Sequence, residues 1–138
     1  MLRGGCFCGH IRYEASGAAF YESNCHCSIC RRTTGAPFVS WFSVRRSEFR
    51  IVSGDPSRFA STAQATRSFC PRCGTQLIFE HRDFPDEIGI TTSSLDDPVS
   101  VPPQRHIHVS SKLPWIKLAD GLLECPESWE QCDSDAQS

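Results

Sequence analysis

Thiol groups have the greatest capacity for chemistry in this sequence, because nine of its 138 residues are cysteine. Seven of them fall into three tight clusters, which are Cys6 and Cys8, then Cys25, Cys27 and Cys30, then Cys70 and Cys73. Thiols so close in sequence are poorly placed to form disulfides with each other, since a disulfide needs particular Cα separations and Cβ directions. They suit chelation, in which neighbouring thiolates converge on one metal ion.

The segment Cys70-Pro71-Arg72-Cys73-Gly74 has the spacing of a zinc knuckle. Its two thiolates can bind one zinc from a tight turn, and the glycine allows the positive φ that such a turn often needs. Cys6 and Cys8 are the best donors of two further ligands, because alternate side chains of an extended chain point the same way. That alternation directs Phe7 into the core. The result would be a closed structural zinc contributing on the order of 10 kcal/mol to folding; the alternative is free buried thiols or disulfides.

The second cluster offers three thiolates, from Cys25, Cys27 and Cys30, within six residues. Alternation turns His26 away from its cysteine neighbours, which makes it a poor fourth ligand. Three protein ligands and one open position are the pattern of a catalytic zinc, so we expect two zinc ions per chain. The alternative is a closed site, for which the candidate fourth ligands are Cys125, Cys132, His106 and His108. Cys125 and Cys132 lie beside a polar tail, and we expect both to be incidental.

Charge indicates what the open position would hold. A zinc ion bound to three thiolates carries about −1 charge, which makes it a weak Lewis acid and a poor activator of water. It suits a soft ligand such as a substrate thiolate. Arg31 and Arg32 follow Cys30 directly and are candidates to bind a substrate carboxylate; the alternative is that both are solvated surface arginines.

Hydrophobic patterning predicts a mainly β chain with little helix. The candidate strands are residues 10–14, 38–44, 49–52, 58–62, 66–69, 76–80, 88–92 and 106–109. One helical turn is predicted at 28–34, stopped by Gly35 and Pro37. His106 and His108 would lie on one strand face, as a two-histidine metal site or as an ordinary half-exposed face. Trp115, with Leu113, Ile116 and Leu118, is expected in the core.

Composition excludes several classes of protein. The chain is 39% hydrophobic with a net charge of −2, which fits one globular domain and makes nucleic acid an unlikely partner. It has no run of 18 apolar residues, so no membrane partner is expected. The first residues lack the apolar core of a signal peptide, so we expect a reducing, cytoplasmic location.

Together these motifs resemble the glutathione-dependent formaldehyde-activating enzyme family, which shares its domain with centromere protein V. The segments that carry the resemblance are Gly5-Cys6-Phe7-Cys8-Gly9, residues 25–38 and residues 69–77, with His106-Ile107-His108, Pro114-Trp115 and Asp120-Gly121-Leu122 resembling the family's ending. The match runs from about residue 3 to residue 125. A zinc-binding domain is thus expected at 1–125 and a polar, acidic C-terminal tail at 126–138, its last residues mobile.

The resemblance implies an irregular fold of several coiled antiparallel β-sheets around zinc knuckles. It implies a structural zinc on Cys6, Cys8, Cys70 and Cys73 and a catalytic-type zinc on Cys25, Cys27 and Cys30. The implied activity is that of a carbon–sulfur lyase, in which the sulfur of glutathione, the small-molecule thiol partner, adds reversibly to formaldehyde and gives S-hydroxymethylglutathione. The alternatives are a glutathione or thiol carrier, a non-catalytic zinc-scaffold binding module, and a redox or metal-buffering protein. The ending at residues 122–126 departs from the family's usual proline-containing close.

Overall fold

The expected mainly β fold is confirmed. A computed structural model describes the backbone of residues 1–136 and the side chains of residues 1–132. The strands are β1 (Leu2–Gly5), β2 (Arg12–Ala15), β3 (Phe20–Cys25), β4 (Val39–Arg45), β5 (Phe49–Ser53), β6 (Ser57–Ala60), β7 (Ala65–Phe69), β8 (Gln76–His81), β9 (Glu87–Thr91), β10 (Arg105–Ile107) and β11 (Leu123–Glu124). The α-helices are α1 (Ser28–Thr34) and α2 (Trp129–Ala136), and single 3-10 turns lie at Arg46–Glu48, Thr92–Ser94, Pro98–Ser100 and Val109–Ser111. No helix among these residues is both long and apolar enough to cross a membrane.

The first of two compact units comprises Met1–Phe20 and Phe42–Pro102. It contains an antiparallel sheet in the order β1-β2-β5 and an antiparallel run in the order β9-β8-β7-β6. Alternate residues of β9, Ile88 and Ile90, point into the core, as the period-two spacing of a half-buried strand requires. Phe42 and Val44 of β4 are fully buried in the same core.

The second unit comprises Tyr21–Trp41 and the chain from Pro103 onward. Here β10 lies between β3 and β11 and runs parallel to both, with Ile107 opposite Cys25. The helix expected at residues 28–34 is present with those bounds. It ends because Gly35 adopts the left-handed conformation at φ 72°, and its amide donates to the Arg31 carbonyl.

Two expectations about aromatic residues are wrong. Phe7 is 94% exposed, because the chain from Cys6 to Gly9 is a turn closed by a hydrogen bond from the Gly9 amide to the Cys6 carbonyl, and the alternation of an extended strand does not apply there. Trp115 is 66% exposed instead of lying in the core. It belongs to an irregular segment whose backbone carbonyls, at Leu113 and Ile116, accept hydrogen bonds from the Lys112 ammonium.

His106 and His108 do not share a strand face. β10 ends at Ile107, and His108 adopts the left-handed conformation at φ 54°, so the period-two pattern breaks between the two histidines. His106 is buried, whereas His108 is half-exposed. The expected two-histidine face is therefore absent.

The C-terminal segment contains a disulfide between Cys125 and Cys132, so the expectation that these residues are incidental is wrong. The bond ties α2 to the chain just after β11. Trp129 at the start of α2 stacks on the Arg105 guanidinium, 3.6 Å from the ring centroid, and its ring lies 5.5 Å from that of Tyr21. In the tail expected at 126–138, residues 129–136 form α2. Residues 137 and 138, at the end that we expect to be mobile, lie outside the described part of the chain.

Reduction of the Cys125–Cys132 disulfide should lower the free energy of unfolding by about 2 kcal/mol, because the bond closes a short loop in the unfolded chain. Chemical denaturation with and without reductant measures this change in the free energy of unfolding. In the double variant Cys125→Ser/Cys132→Ser, reductant should leave the free energy of unfolding unchanged. Thiol titration of the denatured, unreduced protein should find seven reactive thiols. A count of nine would contradict the disulfide.

Candidate metal centres

The first candidate metal centre, the four-thiol cluster, consists of Cys6, Cys8, Cys70 and Cys73 in the first unit. Cys6 directly follows β1 and Cys70 directly follows β7, so two strand ends bring distant parts of the chain together. All four sulfur atoms lie within 4.8 Å of one another. The Sγ atom of Cys8 lies 3.6 Å from that of Cys6 and 3.7 Å from that of Cys70.

These separations fit a tetrahedral zinc ion. A zinc–sulfur bond of about 2.3 Å places two tetrahedral ligand sulfurs about 3.8 Å apart. Backbone amides already donate to the sulfurs, since Cys70 Sγ accepts from Arg72 at 3.3 Å and from Cys73 at 3.4 Å. Such bonds favour the thiolate form that a metal requires.

Local hydrogen bonds also favour ionisation at Cys73. Contacts with the side chain and the backbone of Thr75 lower the pKa of the Cys73 thiol to about 5. Gly74 follows at φ 79° and permits the tight turn, as the knuckle spacing predicted. The four-thiol cluster is therefore able to hold a metal ion with every position of a tetrahedron filled by the protein.

The second candidate metal centre, the three-thiol cluster, consists of Cys25, Cys27 and Cys30 in the second unit. Cys25 is the last residue of β3, Cys27 directly precedes α1, and Cys30 lies in the first turn of that helix. Their sulfur atoms lie within 4.8 Å of one another, with 3.5 Å between those of Cys25 and Cys30. Cys25 and Cys30 are buried, whereas Cys27 is half-buried.

Three like groups so close together compete for ionisation. Hydrogen bonds from the Cys25 and Cys30 thiols, and from the Cys30 amide, hold the pKa of the Cys27 thiol well below its usual range. The same neighbours and burial raise the pKa of the Cys25 thiol. A bound divalent cation would remove this conflict, because it stabilises all three thiolates together.

No fourth histidine, cysteine or acidic side chain joins the three-thiol cluster among the residues that the structure describes. Cys125 and Cys132 are joined to each other. The ring of His106 is bonded to two other side chains, and Nδ1 of His108 lies 3.8 Å from a carboxylate oxygen of Glu127. None of the four candidate fourth ligands therefore has a ligand atom within 4.8 Å of all three sulfurs.

A buried histidine network lies beside the three-thiol cluster. No pattern in the sequence predicts it. Nε2 of His26 lies 2.9 Å from Nδ1 of His106, and Nε2 of His106 lies 2.7 Å from Oδ2 of Asp120. Burial lowers the pKa of His26 to about 4, and the hydrogen bond from His106 lowers the pKa of Asp120. The parallel pairing of β3 with β10 brings His26 near His106, and the sequence of the three-residue strand β10 does not specify that register.

The two candidate substrate-binding arginines differ in their surroundings. The Arg31 guanidinium donates a hydrogen bond to the Ser111 carbonyl, which attaches α1 to the 3-10 turn after β10. Arg32 is exposed. Of the pair, Arg32 is thus the one whose side chain faces solvent.

Comparison with known proteins finds relatives of this chain. The family model for glutathione-dependent formaldehyde-activating enzyme matches residues 1–111. A Halomonas elongata protein, provisionally named as such an enzyme, is 29% identical over 128 residues, which are 86% of this chain and 81% of that protein. A Schizosaccharomyces pombe protein named an uncharacterized lyase is 33% identical over 78 residues, 56% of each chain.

A solved structure shares the fold. The crystal structure of a Rhodobacter sphaeroides protein matches with a TM-score of 0.54 and 23% identity, over 89% of this chain and 98% of that one. At that identity the likeness concerns the fold alone. The family model, by contrast, covers both cysteine clusters completely. The chain belongs to the glutathione-dependent formaldehyde-activating enzyme family.

Proposed function

We propose that this protein is a zinc-dependent enzyme of the carbon–sulfur lyase type that acts on a thiol adduct, with glutathione and formaldehyde as the substrates joined in S-hydroxymethylglutathione. The observation that carries the proposal is the three-thiol cluster, in which three sulfurs converge and no fourth ligand joins them within the described chain. Membership of the family supports a glutathione-dependent reaction. The seven cysteines of the two clusters are not in disulfides, which supports a cytoplasmic location.

The chain would hold two zinc ions. Cys6, Cys8, Cys70 and Cys73 would complete a structural site, and Cys25, Cys27 and Cys30 would leave one position open. At that position zinc would supply affinity for a substrate thiol and lower its pKa, so that the thiol binds as a thiolate. Three protein thiolates already offset the charge of the ion, which favours a soft sulfur ligand over activated water.

The reaction needs no oxidant or reductant. The sulfur of glutathione forms a bond to the carbonyl carbon of formaldehyde, the carbonyl π electrons move to oxygen, and the proton lost by the thiol ends on that oxygen. The protein's part is to bind the thiol as a thiolate and to orient it toward the carbonyl carbon. Arg32 is exposed two residues after Cys30 and would bind a glutathione carboxylate through its planar guanidinium.

Metal analysis of the reduced protein should find about two zinc ions per chain, one labile to chelators and one resistant. Cys27→Ser should remove the labile zinc and leave the fold intact, because the three-thiol cluster lies within six consecutive residues. Cys73→Ser, which makes the same sulfur-to-oxygen change, should unfold the chain, because its cluster joins segments 62 residues apart. Circular dichroism and zinc content measure both effects.

Equal destabilisation by the two serine variants would contradict an open site. It would show that the three-thiol cluster is structural and would favour a zinc-scaffold binding module. Absence of zinc from the reduced protein would contradict the assignment of both clusters as zinc sites.

Glutathione should change the absorption spectrum of the cobalt-substituted protein, because a fourth thiolate alters the cobalt–sulfur charge-transfer bands. S-methylglutathione, which lacks the free thiol, serves as the control and should leave the spectrum unchanged. An unchanged spectrum with glutathione would rule out thiolate binding at the open position. A spectral change without faster formation of the formaldehyde adduct would identify a thiol carrier instead of an enzyme.

Arg32→Gln should weaken glutathione binding about fivefold, since one exposed charge-assisted hydrogen bond contributes about 1 kcal/mol. Arg58→Gln, a matched change at an exposed arginine of the first unit, should leave the affinity unchanged. Isothermal titration calorimetry measures both. If the two variants bound glutathione with equal affinity, Arg32 would not be part of the substrate site.

A further inference from the structure

A continuous line of hydrogen bonds leads from the protein surface to the residue between two thiols of the three-thiol cluster. It begins at Asp120, whose side chain is 45% exposed, and passes through His106, which is 1% exposed, to His26, which is fully buried. His26 lies between Cys25 and Cys27 in the sequence. Asp120, at the outer end, is thus in contact with water. His26, at the inner end, is part of the backbone segment that carries Cys25 and Cys27.

The chemistry of the outer group fixes the tautomers of both histidines. An ionised carboxylate is only an acceptor, so Nε2 of His106 must donate to Asp120 across the 2.7 Å contact. In a neutral His106 imidazole, Nδ1 is then the acceptor, and Nε2 of His26 donates to it across 2.9 Å. Nδ1 of His26 consequently carries the free lone pair. This atom is buried and has no hydrogen-bond partner within the part of the chain that the structure describes.

Backbone contacts with β10 also hold His26 beside His106. Its amide donates to the Ile107 carbonyl at 3.1 Å, and Asn24 lies opposite His106 in the parallel pairing of β3 with β10. The Phe38 ring, with its centroid 4.9 Å from that of His26, packs against the imidazole. A change in the direction of the His26 ring would therefore be transmitted to the two peptides that join Cys25 to Cys27.

We propose that Asp120 is a positioning residue for the three-thiol cluster: through His106 it fixes the tautomer and ring direction of His26, and so holds the Cys25–Cys27 backbone where the thiols converge. The inference rests on the proposed zinc site of that cluster. Groups that orient metal-binding segments from outside typically affect metal affinity by about 10- to 100-fold. Asp120 itself touches neither thiol nor substrate in this scheme.

The test compares Asp120→Ala with Glu124→Ala, a matched loss of one exposed carboxylate in the same unit. Chelator competition measures the affinity of both zinc sites in one protein, so the four-thiol cluster is an internal reference. Asp120→Ala should weaken zinc binding at the three-thiol cluster about tenfold and leave the other site unchanged. Asp120→Glu should recover part of the loss, and Glu124→Ala should cause none. Equal weakening of both sites by Asp120→Ala, or no weakening of the labile site, would overturn the proposal.

Imidazole nitrogen NMR of the metal-free protein gives a second readout that does not depend on zinc. Wild-type His106 should show a single tautomer with its proton on Nε2, and Asp120→Ala should produce a mixture of tautomers and shift the amide resonances of His26 and Cys27. A single unchanged tautomer in Asp120→Ala would overturn the positioning role. If the wild-type chain bound only one zinc ion, the proposed function would fail, while this spectrum would still decide the role of Asp120.

Discussion

Seven sulfur atoms gathered into two small clusters place an electrostatic constraint on the rest of the structure. Thiols within 4.8 Å of one another cannot all ionise without a cation, yet hydrogen bonds from backbone amides favour the thiolate form at several of them. The turns after β1 and β7, and the junction of β3 with α1, bring the thiols together. Three strands, β1, β3 and β7, end at or directly before a cysteine of these clusters.

The two clusters differ in what they require of the chain. The four-thiol cluster joins the N-terminus to the knuckle between β7 and β8, so it closes a long loop whose ordering a metal ion must offset. The three-thiol cluster closes almost no loop and adds little restraint to the unfolded chain. Cys27 caps the helix that carries Cys30, and in our proposal the histidine network also holds the Cys25–Cys27 backbone. The cluster that closes less of the chain is the one for which we propose a ligand position open to substrate.

The sequence predicts both clusters and the helix that carries Cys30, because cysteine spacing and a glycine that ends a helix are local signals. Such prediction fails where the outcome depends on a turn or on pairing between distant segments. Strand alternation predicts Phe7 in the core, yet a turn exposes it. The same rule puts His106 and His108 on one strand face, yet the partners of His106 are His26 and Asp120. The Cys125–Cys132 disulfide follows from the formation of α2 in a polar tail, for which the sequence has no strong pattern.

The three-residue strand β10 accepts hydrogen bonds on both sides at successive residues. The His106 carbonyl accepts from the Cys125 amide at 2.8 Å, and the Ile107 carbonyl accepts from the His26 amide at 3.1 Å. A strand this short opens as one piece, so its local unfolding would expose both amides together. Deuterium uptake at His26 and Cys125 would then follow one opening equilibrium, although 99 residues of sequence separate the two amides. The local stability of the Cys25–Cys27 backbone and that of the attached disulfide segment would thus depend on the same opening free energy of β10.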